Sequence, residues 1–171
     1  MNMKSDLKLH VPKLEEIAFR QFLLADPETM SYNAPWFPPN GCVDFPRELW
    51  AGWHRQWINQ EPDRFYAYLQ RTKDGAWIGE VNFQYSPSDN WWEMGIVILA
   101  SERGKGYAKE GLRLLLDRAF KTGEVHTLHN SFEVTRDAAY QVHRSLGFQE
   151  VGTEDGFVHL VLKREDYLNH K

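Results

Sequence analysis

The sequence has little of what disulfide-stabilised, metal-binding or membrane-spanning proteins require. Its 171 residues include one cysteine, Cys42, which has no partner for an internal disulfide. No group of Cys and His residues has metal-ligand spacing. No apolar run approaches the roughly 18 residues that a membrane helix needs, and the start, Met1 to Asp6, has no apolar signal core. These absences predict a cytoplasmic protein that has no membrane partner and no resident metal.

Positive charge is also scarce. The chain carries 20 Lys and Arg residues against 24 Asp and Glu residues, a formal net charge of −4 at pH 7. General affinity for nucleic acid requires a basic balance or a dense basic face. The composition therefore argues against a nucleic-acid partner, although an acidic protein can still contain one positive pocket.

Large apolar side chains, in contrast, are abundant. Hydrophobic residues make up 42% of the chain and aromatic residues 14%, enough to bury a sizeable core in a chain of this length. Strand and helix patterns are interleaved along the sequence, which is typical of an α/β domain. We therefore predict a single domain over residues 1–171.

Two helices and an aromatic loop are predicted in the first 60 residues. The first helix begins near Pro12 and ends at Asp26. Its predicted buried face has helical spacing: Leu14, Ile17, Ala18, Phe22 and Ala25. The second helix covers Arg47–Asn59 and places Trp50, Trp53 and Trp57 on one face, which favours core packing over a cleft lining.

The loop between these helices, residues 32–45, contains prolines and a glycine that exclude a regular helix. Its rings are too numerous for a solvated loop: Tyr32, Trp36, Phe37 and Phe45. They either fold back onto the core, which we slightly favour, or wall a substrate cleft.

Alternation of apolar and polar residues predicts the strands. The first segment, Leu7–His10, is expected to be an edge strand or an extended lead-in. Six strands follow it: Arg64–Arg71, Ala76–Ser86, Trp91–Ala100, Thr127–Val134, Phe148–Val151 and Phe157–Lys163. A long helix begins at Tyr107 and stops near Gly123, and a short one covers Ala138–Leu146. The strands from Arg64 to Ala100 follow one another across short turns, which predicts an antiparallel meander.

A glycine loop joins the third strand of this meander to the long helix. The first turn of a helix has N–H groups without internal partners and carries partial positive charge. Gly104 and Gly106 let a phosphate approach the backbone, and positive side chains surround the turn: Arg103, Lys105 and Lys109. The loop is therefore a predicted pyrophosphate site.

The dinucleotide fingerprint fits this loop only in part, because Lys109 stands where glycine or alanine is required, and the P-loop pattern is absent. An ordinary strand–loop–helix unit with a glycine-rich turn remains an alternative. Arg103, Gly106 and Ala108 match the pattern Arg/Gln-x-x-Gly-x-Gly/Ala. The loop thus resembles the pyrophosphate loop of the GNAT family, the acetyl-CoA-dependent N-acetyltransferases.

A second motif, residues 139–148, resembles the family's short helix that ends in Leu-Gly-Phe. In outline the chain looks nearest to the ribosomal-protein N-acetyltransferase branch, through Glu93–Gly95 and Gly104–Glu110. Two positions depart from the family pattern. Arg136 stands where many members have asparagine, and His143 where many have tyrosine.

The resemblance implies a mixed, splayed central sheet with an antiparallel meander, flanked by helices. Acetyl-CoA, as co-substrate, would enter the splay between the strand ending near Leu99 and the strand Thr127–Val134. Its pantetheine arm would run beside Ile96, Val97 and Ile98. Its pyrophosphate would lie on the loop and first helical turn: Arg103, Gly104, Lys105, Gly106, Tyr107 and Ala108.

Acetyl transfer to a primary amine by direct attack needs a base for the amine and benefits from an acid for the thiolate, without a covalent enzyme intermediate. Glu93, about where several family members carry a catalytic Glu, is the predicted base, with Glu133 second. His143 is the predicted acid because its ordinary pKa is about 6.5. Tyr140 is the alternative acid. A paired strand carboxylate and a packed helix histidine are the purely structural interpretations.

The sequence thus predicts an N-acetyltransferase whose acceptor is a primary amine of a small molecule, peptide or protein. Polyamine, aminoglycoside, amino-acid and protein N-terminal acceptors stay open, as does a homodimer. The alternative is a non-catalytic acyl-CoA-binding sensor or partner module, in which Glu93 and His143 would be dispensable. A nucleotide-binding protein without acyl chemistry is disfavoured by the incomplete fingerprints.

Overall fold

A computed structural model describes residues 4–171 as one mixed sheet with helices on both faces. The strands are β1 (Leu7–His10), β2 (Arg64–Arg71), β3 (Trp77–Ser86), β4 (Trp91–Ile98), β5 (Thr127–Glu133), β6 (Gln149–Glu154) and β7 (Phe157–Lys163). The α-helices are α1 (Ala18–Ala25), α2 (Pro27–Met30), α3 (Trp50–Trp57), α4 (Tyr107–Ala119), α5 (Asp137–Ser145) and α6 (Arg164–Asn169). No helix in this part of the chain is both long and apolar enough to span a membrane.

The sheet has the strand order β1-β2-β3-β4-β5-β7-β6 and splays at its centre. Strands β1 to β4 form an antiparallel meander, and β5, β7 and β6 form a second antiparallel unit. The parallel pair β4–β5 joins these units at two positions only, Trp92 with Leu128 and Glu93 with His129. Beyond Glu93 the two strands separate. The predicted splayed sheet with an antiparallel meander is confirmed.

Helix α4 covers one face of the sheet. Its buried residues recur at helical spacing: Leu112, Leu115, Leu116 and Ala119. They belong to a large apolar cluster with Ala67, Val81 and Phe83 of the meander. Each fully buried leucine contributes about 1.5–3 kcal/mol, so this face holds the long helix, and with it the glycine loop, against β4.

Helices α1 and α3 cover the opposite face. The ring of Trp53 lies edge-on to Tyr66, with 4.6 Å between centroids, and to Phe45, at 5.9 Å. The predicted core packing of the tryptophan face therefore holds for Trp53. Phe45 is buried as well, which agrees with the favoured interpretation of the aromatic loop for this ring.

The predicted buried face of the first helix is wrong. A 3₁₀ turn at Leu14–Glu16 precedes α1. The buried side chains are Ile17, Leu23 and Leu24, whereas Leu14 and Phe22 are 42% and 59% exposed. The buried and the predicted apolar residues both fit a 3.6-residue period, and periodicity alone does not select which of two apolar faces packs on the sheet.

The last residues of the chain form a short helix against α4. Residues 164–171 contain α6, whose Tyr167 is buried and donates a hydrogen bond to Asp117 at 2.7 Å. Helix α4 ends at Ala119, four residues before Gly123. One buried ring in an otherwise polar stretch leaves too weak a pattern to predict a helix.

Candidate active site

A cavity of about 350 Å³ lies where the sheet splays, on the face that carries α4. We call it the donor cavity. It is lined by the end of β4, by the glycine loop with the start of α4, and by α5. It includes all but one of the predicted cofactor-binding residues: Ile96, Val97, Ile98, Arg103, Gly104, Gly106, Tyr107 and Ala108. Lys105 does not line it; its ammonium group pairs with Glu102 at 2.9 Å. Lys109 does.

The glycine loop faces the donor cavity with open backbone. Gly104 and Gly106 have φ angles of +76° and +83°, which L side chains rarely adopt. A Cβ built on either residue meets no atom within 4 Å. Gly106 is the N-cap of the 13-residue α4 and supplies no side-chain cap. The first-turn N–H groups are thus left for an anion, and the space before them fits a pyrophosphate.

Arg103 also holds the loop in place. Its guanidinium donates to the carbonyl oxygens of Thr29, at 2.7 Å, and Glu28, at 3.3 Å. The buried Thr29 hydroxyl in turn accepts a hydrogen bond from the backbone N–H of Ala100 at 2.9 Å. The motif arginine thereby ties the loop to α2, a contact that no local sequence pattern indicated.

A second cavity, about 180 Å³, adjoins the first on the face of the sheet that carries α1 and α3. We call it the acceptor cavity. The aromatic loop, β3, β4, β5 and the residue before α5 each contribute to it: Tyr32, Trp36, Glu80, Asn82, Gly95, Ile96, Val97, Asn130, Ser131, Phe132, Glu133 and Arg136. Four of these residues line both cavities: Tyr32, Ile96, Val97 and Arg136.

The aromatic loop reaches across the splay to the second half of the sheet. Trp36 lies 5.0 Å from Phe157 of β7, and the ring of Tyr32 packs under the guanidinium of Arg136 at 4.8 Å. Burial and the nearby Glu80 raise the pKa of Tyr32 to about 12, so its hydroxyl is protonated at neutral pH. The cleft-wall interpretation therefore holds for these two rings.

Glu80 is the buried carboxylate of the acceptor cavity, and it is fully engaged. It is 4% exposed. Arg20 donates to both of its oxygens, at 2.8 and 3.0 Å, and the Tyr66 hydroxyl donates to it as well. Burial opposes the charge of Arg20, but Glu80 and Tyr66 outweigh this and raise the pKa of the guanidinium. Both carboxylate oxygens of Glu80 are thus occupied by donors of the protein itself.

His143 lies in the donor cavity and is 3% exposed. Its Nδ1 lies 2.7 Å from the Ala139 carbonyl oxygen, which only accepts, so Nδ1 carries the proton. Its Nε2 then accepts from the Asn130 amide at 3.0 Å, and Asn130 Oδ1 accepts from the Ser131 N–H. Burial lowers the pKa of His143, and Arg136 adds to this. The ring is neutral near pH 7, with both nitrogens engaged.

Glu93 lines neither cavity. It lies in an adjacent open groove, where its carboxylate accepts from Trp91 Nε1 at 2.5 Å and pairs with His129 Nδ1 at 2.6 Å. His129 continues to His159 through a 3.0 Å contact between ring nitrogens. Ser131 lines both this groove and the acceptor cavity. On β4 itself, Glu93 lies two residues before Gly95, where the lining of the acceptor cavity begins.

The two remaining candidates, Tyr140 and Glu133, differ in whether they line a cavity. Tyr140 lines neither cavity; its hydroxyl donates to Glu150 at 3.0 Å, a contact that raises its pKa. Glu133, the second candidate base, lines the acceptor cavity. The structure therefore brings His143 and Glu133 toward the splay and leaves Glu93 and Tyr140 outside it. No local pattern in the sequence indicated that Asn82 and Asn130 line the acceptor cavity.

An open sheet with a glycine loop at a helix N-terminus in its splay, and a second, joined cavity across the strands, is an α/β architecture with room for a phosphate-bearing ligand and a second molecule beside it. The family model of the Acetyltransferase (GNAT) domain matches residues 7–149. The chain therefore belongs to the GNAT family of acetyltransferases. This is the family of the acetyl-CoA-dependent N-acetyltransferases.

Solved structures agree with this fold. Spermidine N-acetyltransferase from Vibrio cholerae in complex with CoA and spermine superposes with a TM-score of 0.78 at 20% identity, covering 97% of this chain and 100% of that chain. A GNAT-family acetyltransferase from Bacillus anthracis gives a TM-score of 0.71 at 16% identity, covering 94% and 96%. No curated protein sequence matches significantly.

Proposed function

We propose that the chain acetylates a primary amine of a small molecule held in the acceptor cavity. The observation that carries this proposal is the junction of the two cavities at Tyr32, Ile96, Val97 and Arg136. A donor in one cavity and an amine in the other meet there. Reaction joins the amine nitrogen to the acetyl carbon as the bond from that carbon to the CoA sulfur breaks.

The donor cavity suits acetyl-CoA, which supplies the activated acetyl group. The backbone of Ile96–Ile98 is available to the pantetheine arm, and the N–H groups from Gly104 to Ala108 are available to the pyrophosphate. Lys109 adds positive charge at the same turn. The open space before both loop glycines supports this assignment.

For the base we propose Glu133 ahead of Glu93. An amine arrives protonated and must lose a proton before it attacks. Glu133 lines the acceptor cavity itself, and its carboxylate makes no hydrogen bond or ion pair within residues 4–171. Glu93, the base predicted from the sequence, would have to act through water past Ser131, while its oxygens are already bonded to Trp91 and His129.

We propose His143 as the general acid, provided that its Nε2 can be protonated and freed. Its Nε2 must be protonated to donate to the thiolate, and Asn130 must then release it. The lowered pKa makes that form scarce at neutral pH. Tyr140, the alternative acid, would have to leave Glu150 and cross to the splay. We therefore expect His143 to contribute modestly to turnover.

Non-catalytic acyl-CoA binding is the second candidate function. It is favoured by one observation, the engagement of both His143 nitrogens by the surrounding protein. Two finer acceptor assignments are proposals as well. The Vibrio cholerae structures concern spermidine and spermine, and the sequence motifs resemble the ribosomal-protein branch. A homodimer and a cytoplasmic location stay predictions.

Calorimetric titration of the purified protein with acetyl-CoA, with NAD and ATP as controls, tests the donor site. Binding of acetyl-CoA alone is expected. Thiol release is then followed with amines of each class. Release with any amine supports the enzyme; tight binding without release from any amine supports the sensor. No binding of acetyl-CoA would refute the donor cavity.

A further inference from the structure

The acceptor cavity contains two opposite charges that do not pair with each other. Glu133 and Arg136 both line it, on a turn closed by a 3.0 Å hydrogen bond from the Arg136 N–H to the Glu133 carbonyl. Within residues 4–171, neither side chain makes a hydrogen bond or an ion pair. Each of these residues therefore lines the cavity without a hydrogen-bonded or ion-paired partner among the described residues.

The guanidinium of Arg136 is supported by rings instead of carboxylates. Its central carbon lies 4.8 Å from the ring of Tyr32 and 5.5 Å from that of Phe132. Rings contact the faces of a guanidinium and leave its edge N–H donors available, in the fork that binds a carboxylate through two hydrogen bonds. Burial lowers the pKa of Arg136 and the nearby Arg103 adds to this, while Tyr32 and the carboxylate of Glu133 act in the opposite direction without outweighing it. A partly desolvated cation of this kind is stabilised by an anion.

The position of Arg136 indicates which substrate carries that anion. The pyrophosphate has its own site on residues 104–109, and none of those residues lines the acceptor cavity. Arg136 instead lies beside Ile96 and Val97, where the two cavities join. An anion that enters the acceptor cavity belongs to the acceptor, and the free carboxylate of Glu133 in the same cavity complements its ammonium group.

We propose that the acceptor is a zwitterionic amine, an α-amino acid or a small molecule with a carboxylate next to its amine. Arg136 binds the carboxylate, and Glu133 faces the ammonium group and takes one proton from it. The freed amine then attacks, the nitrogen–carbon bond forms as the carbon–sulfur bond breaks, and the second proton lost by the nitrogen ends on the departing CoA thiolate. Trp36 supplies an apolar wall for the rest of the acceptor. A polyamine lacks the carboxylate, and Arg136 repels its ammonium groups. This inference rests on the proposed acetyltransferase function.

Matched acceptor pairs that differ only in the carboxylate test it. The pairs are methionine with 3-(methylthio)propylamine, phenylalanine with phenethylamine, and ornithine with putrescine. For at least one pair, kcat/KM from thiol release should favour the carboxylated member by roughly 10- to 100-fold, the range for a charge-assisted hydrogen bond. Arg136→Met should abolish that preference, chiefly by raising the KM of the carboxylated member.

Arg113→Met is the matched control, because Arg113 is an exposed arginine on α4 that lines neither cavity. It should change neither member of a pair, and Arg136→Lys should restore part of the preference. Circular dichroism and titration with acetyl-CoA accompany each variant, to establish folding and donor binding.

Several results would overturn the inference. If Arg136→Met lowers kcat/KM equally for both members of a pair, or if Arg113→Met lowers it as much, Arg136 does not bind the carboxylate. Weakened acetyl-CoA binding in Arg136→Met would assign the guanidinium to the donor. Turnover of polyamines with none of the carboxylated amines would refute the zwitterion and leave the acetyltransferase intact. Thiol release from no amine at all would refute the proposed function itself.

Discussion

Gly106 is the position whose replacement tests the donor site most directly, because a left-handed backbone and open space coincide there. Its φ angle is +83°, and no atom lies within 4 Å of a Cβ built on it. Gly106→Glu therefore adds a carboxylate beside the N–H groups of α4 without a steric clash in the free protein. The fold should survive, and the affinity for acetyl-CoA should fall.

Two magnitudes follow from this geometry. An L residue in the left-handed region costs roughly 1–2 kcal/mol, which in a chain of this size lowers Tm by about 2–8 °C. A carboxylate about 4 Å from a phosphate charge is repelled by about 1 kcal/mol in bulk water and about 4 kcal/mol at an effective dielectric constant near 20. The affinity for acetyl-CoA should thus fall between about 5-fold and several hundred-fold.

Gly156→Glu is the matched control for this experiment. Gly156 lies between β6 and β7 with a φ angle of +82°, a Cβ built on it has no atom within 4 Å, and it lines neither cavity. Both variants should show the same fall in Tm by calorimetry. Only Gly106→Glu should lose affinity in titration with acetyl-CoA. Unchanged affinity in Gly106→Glu, or the same loss in both variants, would refute the assignment of the pyrophosphate to this loop.

Three further predictions concern the acceptor side and the buried ionisable groups. Glu133→Gln should lower kcat by about 10²-fold or more, whereas Glu93→Gln should lower it less; the reverse order of kcat values would restore Glu93 as the base. His143→Phe should lower turnover modestly and leave acetyl-CoA binding intact. Because the folded-state pKa of His143 is lowered, the unfolded chain binds more protons below about pH 6.5, so stability falls as pH falls there. His143→Phe should flatten that slope in denaturant titrations at several pH values. Glu80→Gln should cost about 3–5 kcal/mol in urea unfolding, because it leaves Arg20 buried without its counter-charge; a loss below about 1 kcal/mol would contradict this.

The donor site could be predicted from the sequence because one contiguous segment builds most of it. A strand, two glycines and a helix start are all local patterns, and they place Ile96 and the residues 103–108 together whatever the rest of the chain does. Even so, the prediction for Lys105 missed its pairing with Glu102. A long side chain in a polar loop has several partners within reach, and only the folded neighbours select one.

The acceptor cavity could not be predicted in the same way. Its residues come from five separate segments, and Trp36, Asn82 and Glu133 become neighbours only after the sheet has formed and splayed. The periodicity of β4 places Glu93 on the correct face of the sheet but not at a particular depth along the strand. Glu93 lies where β4 still pairs with β5, before the gap opens. The point at which two strands part is a tertiary property.

The two cavities lie on opposite faces of the sheet, and both are lined by Ile96 and Val97 near the C-terminal end of β4. Neither substrate must therefore pass through the other's site, and both can be present at once. The expected steady-state pattern is sequential, with double-reciprocal lines that intersect when one substrate is varied at several fixed levels of the other. Parallel lines, the pattern of a ping-pong reaction, would require an acetylated form of the protein and would contradict direct transfer across this junction.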